Sequence, residues 1–415
     1  MSNTRYMMPP VTTNQQSNTD PADAAFVPCN EDTWRNPFDM YAALREHDPV
    51  HYVSDGDYWV LSRFDDIFNA ARNTKTFSSA EGLTFNYGER EALDMDFAPM
   101  VMLDPPEHTA FRRMVGRGFT PRRVQTIEPL VRDFVVEYLG RLADGGTGDF
   151  AVDFAKPLPS FVVALYLGVP EEDRGSFDRW TDSIVAANAQ GENLQAIDAV
   201  AELALYFSEL VERRKAEPGD DVVSELVALM QDGEEMDLLS ILGFTFTMVA
   251  GGNDTTTGLL GGAAELLTDN PDQRALLAED PSLIDNAVEE FLRLTSPVQG
   301  LARTATRDVE IRGRTIPAGR KVFLAYGSAN RDPDEFGVDA EELDVTRNIE
   351  RIMTFGYGAH HCLGAATARL QARVALEELL ARHPDFTVDA AAGRFAGGHF
   401  VRRYASLPFT AGPAA

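Results

Sequence analysis

A glycine-rich turn that holds one cysteine, directly ahead of a strong helical pattern, constrains this 415-residue chain more than any other feature. The turn runs from Phe355 to Gly364 and contains Cys362, and the helical pattern extends from about Leu363 to Arg382. Free backbone N–H groups and the positive end of the helix dipole stabilise negative charge there, so we expect the Cys362 thiol to ionise easily. A thiolate that a loop presents rigidly is suited to act as the fifth ligand of a haem iron.

The same turn matches a known sequence motif. Its residues fit the pattern F-x-x-G-x-[HR]-x-C-x-G, with Phe355, Gly358, His360, Cys362 and Gly364 at the fixed places. The segment resembles the haem-ligand loop of the cytochromes P-450, the haem-thiolate monooxygenases. The resemblance implies that Cys362 binds the iron of haem b and that Phe355 and Gly364 also contact the cofactor. Because no C-x-x-C-H sequence surrounds Cys362, we expect the haem to be held without a covalent bond.

Composition and charge narrow the class of protein. No linker, charge block or repeat divides the chain, so we expect residues 26–415 to form a single domain after a disordered leader at 1–25. No apolar run reaches 18 residues and no signal peptide is present, which predicts a cytoplasmic protein without membrane contact. The net charge of −28 argues against a nucleic-acid partner. A monomer is expected, with a dimer as the alternative.

Helical periodicity dominates the chain from about Glu107 to Thr295. A hairpin is predicted from Val50–Val53 and Tyr58–Leu61, and a second β region between residues 309 and 325. Strands and helices do not alternate, and no G-x-G-x-x-G follows a strand, so we expect no dinucleotide or flavin module. We predict a mainly α protein with a small β region. The resemblance implies the triangular fold of the family, with the haem between the central long helix and the cysteine-loop helix.

The central long helix is predicted from about Met236 to Thr268, with the sequence Gly251-Gly252-Asn253-Asp254-Thr255-Thr256 in its middle. A glycine in a helix interior costs about 1 kcal/mol, so we expect the helix to bulge or widen at this point. A kink with a satisfied polar pair is the alternative. The stretch also resembles the family's [AG]-G-x-[DE]-T motif. That resemblance implies that Thr255 hydrogen-bonds dioxygen and that Asp254 relays protons from solvent.

Glu290 and Arg293 stand three residues apart on one predicted helix face. Most such pairs lie on the surface and contribute little to stability. Apolar neighbours favour partial burial here, and the pair resembles the family's E-x-x-R motif. The resemblance implies a structural trio, completed by Arg347, that braces the cysteine loop.

Four basic side chains are predicted to hold the two haem propionates. Asp104-Pro105-Pro106-Glu107-His108 and the following residues to Arg112 resemble the family's D-P-P-x-H-x-x-x-R motif. His108 and Arg112 lie four residues apart and therefore share one face of a helix. The resemblance adds Arg303 and His360 to this set, because buried propionates need cationic or hydrogen-bond-donating partners. An ordinary surface pair is the alternative for His108 and Arg112.

The sequence predicts only the lining of a substrate pocket. The loop Leu83–Val101 is rich in Met and Phe but interrupted by Gly, Pro and Asp, which favours a mobile lid over core packing. We expect an apolar organic substrate. The residues that the resemblance assigns to this lining are Phe85, Tyr87, Met100, Gly251, Gly252, Val298 and Leu301.

Five arginines between Arg112 and Arg123 stand out against the acidic background, with no acid among them. A solvated helix face and a docking face for an acidic electron-transfer protein are about equally supported. The resemblance implies electrons from NAD(P)H, delivered by an acidic ferredoxin and its reductase.

Three functions remain open at this stage. The first is a monooxygenase with O2 as co-substrate, which the presence of Asp254 and Thr255 favours. The second is a peroxide-driven peroxygenase or peroxidase, and the third is a non-catalytic haem or gas sensor. Thr367 and Ile352 depart from the family's common pattern, but neither removes a ligand or a proton donor.

Overall fold

The computed structural model describes residues 25–92, 98–190, 196–232 and 236–412. The leader predicted to be disordered therefore lies almost wholly outside the described residues. Within them no helix is both long and apolar enough to span a membrane. The α-helices found there are α1 (Phe38–His47), α2 (Phe64–Arg72), α3 (Glu89–Ala92), α4 (Glu107–Val115), α5 (Pro121–Thr126), α6 (Glu128–Ala143), α7 (Pro157–Leu167), α8 (Arg174–Gln190), α9 (Ile197–Ala216), α10 (Val222–Gln231), α11 (Leu238–Asp269), α12 (Pro271–Glu279), α13 (Ile284–Thr295), α14 (Tyr326–Ala329), α15 (Pro333–Phe336) and α16 (Ala365–Arg382).

Short strands form a minor part of the described chain. They are β1 (Val50–Val53), β2 (Tyr58–Leu61), β3 (Phe77–Ser78), β4 (Thr147–Asp149), β5 (Leu301–Ala305), β6 (Val309–Ile311), β7 (Arg314–Ile316), β8 (Lys321–Leu324), β9 (Thr387–Val388), β10 (Arg394–Phe395), β11 (Tyr404–Ser406) and β12 (Pro408–Thr410). The largest sheet has the order β1-β2-β8-β5-β3, and smaller sheets pair β10 with β11, β6 with β7, and β4-β12-β9. The predicted hairpin is confirmed, because Val50 pairs with Leu61 and Val53 with Tyr58 in antiparallel register.

The mainly helical fold is confirmed, and its centre is α11. Asp237 begins this 32-residue helix, since its side chain accepts a hydrogen bond from the Ser240 backbone N–H at 2.8 Å. The helix packs against α7, α8, α9, α13 and α16. These contacts bury an apolar face along most of its length and hold it in place.

The bulge predicted in the middle of α11 is wrong, because the helix continues without interruption from Leu238 to Asp269. Three polar side chains hydrogen-bond to carbonyls one turn earlier and so remain compatible with the helix. The side chain of Asn253 reaches Val249 O at 2.7 Å, Thr255 reaches Gly251 O at 3.1 Å and Thr257 reaches Asn253 O at 3.0 Å. Packing from the surrounding helices offsets the low helix propensity of the two glycines.

Among the described residues, the buried apolar side chains form two hydrophobic clusters. The larger one surrounds α11 and draws on most of the helices. The smaller one lies between the five-stranded sheet and the helices α1, α2 and α14. The helix α16 follows the cysteine loop and packs against α6, α11 and α13, so the loop is attached directly to the helical part of the molecule.

Candidate active site

The cysteine loop is a closed turn that requires glycine. Gly356 and Gly358 have φ angles of 62° and 74°, in the left-handed region that side chains other than glycine rarely adopt. A Cβ atom on Gly358 would lie 3.2 Å from the carbonyl oxygen of Ala71 at the end of α2. The Cys362 backbone N–H donates to Phe355 O at 2.9 Å and closes the turn. The loop therefore presents Cys362 from a fixed backbone.

Cys362 lies at the bottom of a recess, since its side chain is accessible to solvent although the surrounding protein desolvates it. This desolvation raises the pKa of the thiol, and it outweighs the opposing effects of the Gly364 backbone N–H and of Arg112 and Arg369. The expectation of an easily ionised thiol is therefore wrong for the protein alone. A cysteine that coordinates a metal ion is deprotonated by the charge of the ion itself.

The structure brings together the four side chains that were predicted to hold propionates. The rings of His108 and His360 are 4.1 Å apart. Burial, followed by the charges of Arg303, His108 and Arg112, lowers the pKa of His360 to about 3. Burial and the same two arginines also lower the pKa of His108, so both imidazoles are neutral at neutral pH. The charge of Arg112 also acts on Cys362, which links this group to the recess.

The charge of Asp104 acts on His108, but the two arginines of this cluster, Arg112 and Arg303, are not paired with a carboxylate in the described chain. Arg303 is also buried. The Nδ1 atom of His108 is buried without a hydrogen-bond partner. Buried cations and unpaired donors are costly unless an anion accepts from them. The two carboxylates of a haem match this donor set, so the residues fit the group that the sequence implies.

Glu290, Arg293 and Arg347 also meet. Glu290 and Arg293 are fully buried, and Arg293 donates to both carboxylate oxygens at 2.7 and 2.8 Å. The Nε atom of Arg347 lies 3.3 Å from Glu290 Oε1. Their role as a brace stays a prediction, but a physical connection to the cysteine loop exists.

That connection runs through Asn330, which the sequence analysis missed. Arg293 donates to Asn330 O at 2.8 Å. The Asn330 side chain then donates to Thr354 Oγ1 at 2.8 Å and accepts from the Met353 backbone N–H at 2.7 Å. Met353 and Thr354 lead directly into the cysteine loop. An isolated asparagine in the sequence carries no signal of this function.

Asp254 has an ionic partner that the sequence did not indicate. Its Oδ1 atom lies 2.6 Å from Nε of Arg403, which comes from the C-terminal part of the chain. Burial raises the pKa of the Asp254 carboxyl, while the positive charge of Arg403 opposes that shift. Asp254 is thus a desolvated acid held by one guanidinium group. Thr255 is half-buried, and its hydroxyl donates to Gly251 O at 3.1 Å.

One face of α11 borders open space. Met248, Gly251 and Thr255 stand at helical spacing and are more accessible than the residues between Thr256 and Ala264. A Cβ atom on Gly251 would have no neighbour within 4 Å. Gly252 behaves differently, since a Cβ there would lie 2.8 Å from Val163 of α7. Of the two glycines, only Gly251 faces the open space.

Of the other predicted pocket residues, Val298, Leu301, Met100 and Phe85 are buried or half-buried, whereas Tyr87 lies at the surface. Val298 and Leu301 are half-buried beside fully buried neighbours, and Val298 forms a β-bridge with Val401. Met100 is buried in a short turn, Met100–Met102, that packs against α11. Phe85 is stacked on Tyr58 with ring centroids 5.0 Å apart.

Tyr87 lies apart from the others at the surface. Its hydroxyl donates to Asp57 O at 2.6 Å and accepts from the Lys321 backbone N–H at 3.2 Å. Met95 and Phe97 of the predicted lid lie outside the described residues. Phe400, which the sequence analysis missed, lies 5.1 Å from Phe85, and only its position in the folded chain reveals it.

The five arginines between residues 112 and 123 separate in the structure. Arg113, Arg117 and Arg122 are exposed. Arg123 is bonded to Asp220, and Arg112 is half-buried beside the cysteine recess. The exposed basic face therefore consists of three arginines on and between α4 and α5.

A long helix carries an acid and an alcohol beside open space, and two arginines without an ion pair among the described residues flank the cysteine recess. This arrangement is typical of the class of haem-thiolate oxygenases. The Cytochrome P450 family model matches residues 45–390. Cytochrome P450 130 of Mycobacterium tuberculosis is 60% identical over 387 residues, which cover 91% of this chain and 96% of the relative. The chain belongs to the cytochrome P450 family, and it is a haem-dependent, oxygen-incorporating monooxygenase.

Further relatives agree with this assignment. The vitamin D(3) 25-hydroxylase of Pseudonocardia autotrophica is 37% identical over 389 residues, covering 92% of this chain and 95% of the relative. Among solved structures, CYP109E1 from Bacillus megaterium in complex with testosterone aligns with a TM-score of 0.81 at 30% identity, covering 91% of this chain and 99% of that one. Cytochrome P450 CYP109Q5 from Chondromyces apiculatus aligns with a TM-score of 0.83 at 34% identity, covering 92% and 97%.

Proposed function

We propose that this monooxygenase inserts one oxygen atom into a C–H bond or heteroatom of a large apolar organic molecule, with electrons supplied by an acidic ferredoxin and its reductase. The observation that carries the proposal is the accessible face of α11, where Gly251 leaves space beside Thr255 and Asp254. The reaction consumes O2, two electrons and two protons, and it releases the oxygenated product and one water. When bound, the haem supplies the iron that activates O2.

The residues of the recess hold the cofactor in this proposal. Cys362 ligates the iron through its sulphur. Arg112 and Arg303 neutralise the two propionates, while His108 and His360 donate hydrogen bonds to them. The support is that Arg112 and Arg303 form no ion pair in the described part of the chain and that His108 Nδ1 is buried without a hydrogen-bond partner.

Asp254 and Thr255 deliver protons in this proposal. A buried carboxyl whose pKa is raised is protonated more readily near neutral pH, which suits an acid that must donate a proton. The Thr255 hydroxyl can donate to an oxygen atom beside α11 when it releases Gly251 O.

In this proposal an apolar substrate contacts the half-buried side chains of Val298 and Leu301 and the turn of Met100, which packs against α11. Two relatives act on or bind large apolar molecules, since one is named for vitamin D(3) and another was solved with testosterone. We therefore extend the proposal to steroid-sized substrates. A cytoplasmic location and a monomeric state stay predictions.

The substrate proposal is tested by screening purified holoenzyme for a spin-state shift with steroids, fatty acids, terpenes and small aromatic compounds. We expect steroids to give the largest shift at the lowest concentration. A response confined to small aromatic compounds would contradict the size class. Product formation with a ferredoxin, its reductase and NAD(P)H then tests the electron source, and equal turnover with hydrogen peroxide alone would contradict it.

The proton-delivery proposal is tested with Thr255→Ala. Loss of the hydroxyl should uncouple turnover, so that reductant is consumed while hydrogen peroxide replaces most of the product. Thr255→Ser is the matched control, because it keeps the hydroxyl and should keep the coupling. Unchanged coupling in Thr255→Ala would place the proton donor elsewhere.

A further inference from the structure

The C-terminal residues 398–404, here called the clamp segment, lie directly on α11. Asp254, Gly258, Gly261 and Glu265 recur at intervals of four, three and four residues and therefore form one stripe along the helix. A Cβ atom on Gly258 would lie 2.5 Å from the carbonyl oxygen of Arg402. A backbone atom cannot give way as a side chain can. Glycine at position 258 is thus what permits the clamp segment to sit this close.

Two arginines of the clamp segment reach the acids at the ends of this stripe. Arg403 pairs with Asp254 at 2.6 Å, and both side chains are largely enclosed. Arg402 approaches Glu265 at 3.6 Å. The backbone position of the clamp segment therefore determines where the Arg403 guanidinium stands relative to Asp254.

A second element holds the clamp segment from its other side. Residues 26–36, here called the N-terminal strap, precede α1. The buried indole of Trp34 donates from Nε1 to Gly398 O at 3.0 Å, and Arg402 Nε donates to Trp34 O at 2.7 Å. The ring Nδ1 of His399 lies 2.6 Å from Cys29 O. The strap and α11 thus enclose the clamp segment between them.

The same segment is bonded to the chain on either side of Val298, one of the predicted pocket residues. The Arg402 backbone N–H donates to Pro297 O at 2.8 Å, and the Gln299 backbone N–H donates to Phe400 O at 2.8 Å. A displacement of the clamp segment would therefore move Arg403, the partner of Asp254, together with the chain around Val298.

We infer that the N-terminal strap positions the proton-delivering acid Asp254. Trp34 and Gly258 hold the clamp segment from opposite sides, and the clamp segment in turn holds Arg403, which is paired with Asp254. Trp34, Gly258 and Arg403 are positioning residues that act through Asp254. This inference rests on the proposed role of Asp254 in proton delivery.

The experiment uses holoenzyme with the steroid that gives the largest spin-state shift, and it measures product per NAD(P)H and the solvent isotope effect on product formation. Arg403→Ala and Gly258→Ala should each lower the product ratio at least threefold and raise the isotope effect, while the carbon monoxide spectrum stays intact. Arg403→Lys restores the charge and should recover at least half of the lost ratio. Trp34→Phe keeps an aromatic side chain but removes the indole N–H donor, and it should change both measurements in the same direction.

Trp180→Phe is the matched control, because its indole donates to Glu202 at 2.6 Å on the exposed side of α8 and α9. It should leave both measurements unchanged. If Gly258→Ala fails to hold haem, Arg403→Ala and Trp34→Phe decide the question. Wild-type coupling in both, while Asp254→Asn uncouples, would overturn the inference and leave the proposed function standing. Wild-type coupling in Asp254→Asn itself would instead refute the proposed role of that acid.

Discussion

At the level of single residues, the proposed ligation of the haem iron by Cys362 predicts the spectroscopy of the protein. Cys362→Ser should abolish the thiolate-type carbon monoxide difference spectrum, because a hydroxyl does not donate electron density to iron as a thiolate does. Cys29→Ser is the matched control, since Cys29 is the other cysteine of the chain, lies buried in the N-terminal strap and should leave the spectrum unchanged. A thiolate-type spectrum in Cys362→Ser would show that another group binds the iron.

Gly358 gives a second residue-level prediction. Gly358→Ala combines a strained φ of 74° with a Cβ only 3.2 Å from the Ala71 carbonyl oxygen, so the cysteine loop must move away from α2. We expect haem content after purification to fall by half or more. Gly313→Ala is the control, because it has a similar φ of 77° but nothing within 4 Å of its Cβ. Equal haem content in both variants would mean that the contact between position 358 and the Ala71 carbonyl oxygen does not affect haem retention.

The site could be predicted from the sequence where its chemistry lies in a short motif. Cys362 and Asp254 each stand in a run of neighbouring residues whose spacing indicates a function. Arg403 and Asn330 could not be predicted, because each joins the site by folding back from a distant part of the chain and neither has a local pattern. The pKa of Cys362 was also misjudged, since desolvation depends on the packing of the whole recess.

Among the structural elements, α13 carries a buried charge pair whose loss should be costly. Glu290→Gln leaves Arg293 buried with no carboxylate partner, and breaking such a pair costs about 3–5 kcal/mol. The measurement is urea unfolding, followed by far-UV circular dichroism and by haem absorbance. We expect haem release to precede the loss of helix, because Asn330 connects Arg293 to the cysteine loop.

Glu137→Gln provides the comparison at this level. Glu137 and Arg141 form an exposed pair on α6, and exposed pairs contribute less than about 1 kcal/mol. Its unfolding midpoint should therefore stay near that of the wild type. Similar destabilisation by the two variants would show that burial of the Glu290 pair has no energetic consequence.

The elements also show where local propensity failed as a guide. The hairpin of β1 and β2 was predicted at its observed bounds, because alternation and turn residues are local signals. The bulge in α11 was predicted from two glycines and is absent, because packing by five neighbouring helices overrides the propensity of a few residues. The two glycines have different surroundings outside the helix. Gly251 borders open space, and Gly258 lies against the carbonyl oxygen of Arg402.

For the whole molecule, the net charge is −28, so an acidic ferredoxin would be repelled by most of the surface. Only a basic face could attract such a partner. The exposed arginines Arg113, Arg117 and Arg122 form such a face on and between α4 and α5, and Arg112 beside them reaches the cysteine recess. A docked partner would then stand near the sulphur side of the site. The solvated-face alternative predicts no such dependence of electron transfer on these charges.

Replacing Arg113, Arg117 and Arg122 with glutamate distinguishes a docking face from a solvated face. If the face docks ferredoxin, the rate of the first electron transfer at low salt should fall on the order of tenfold or more, and its dependence on salt should flatten. At high salt the variant and the wild type should converge, because screening removes the contribution of the face. Reversing Arg179, Arg307 and Arg394, which are exposed outside α4 and α5, changes the net charge equally and should affect the rate far less. Equal slowing in both triple variants would show that only total charge matters and that these arginines are a solvated face.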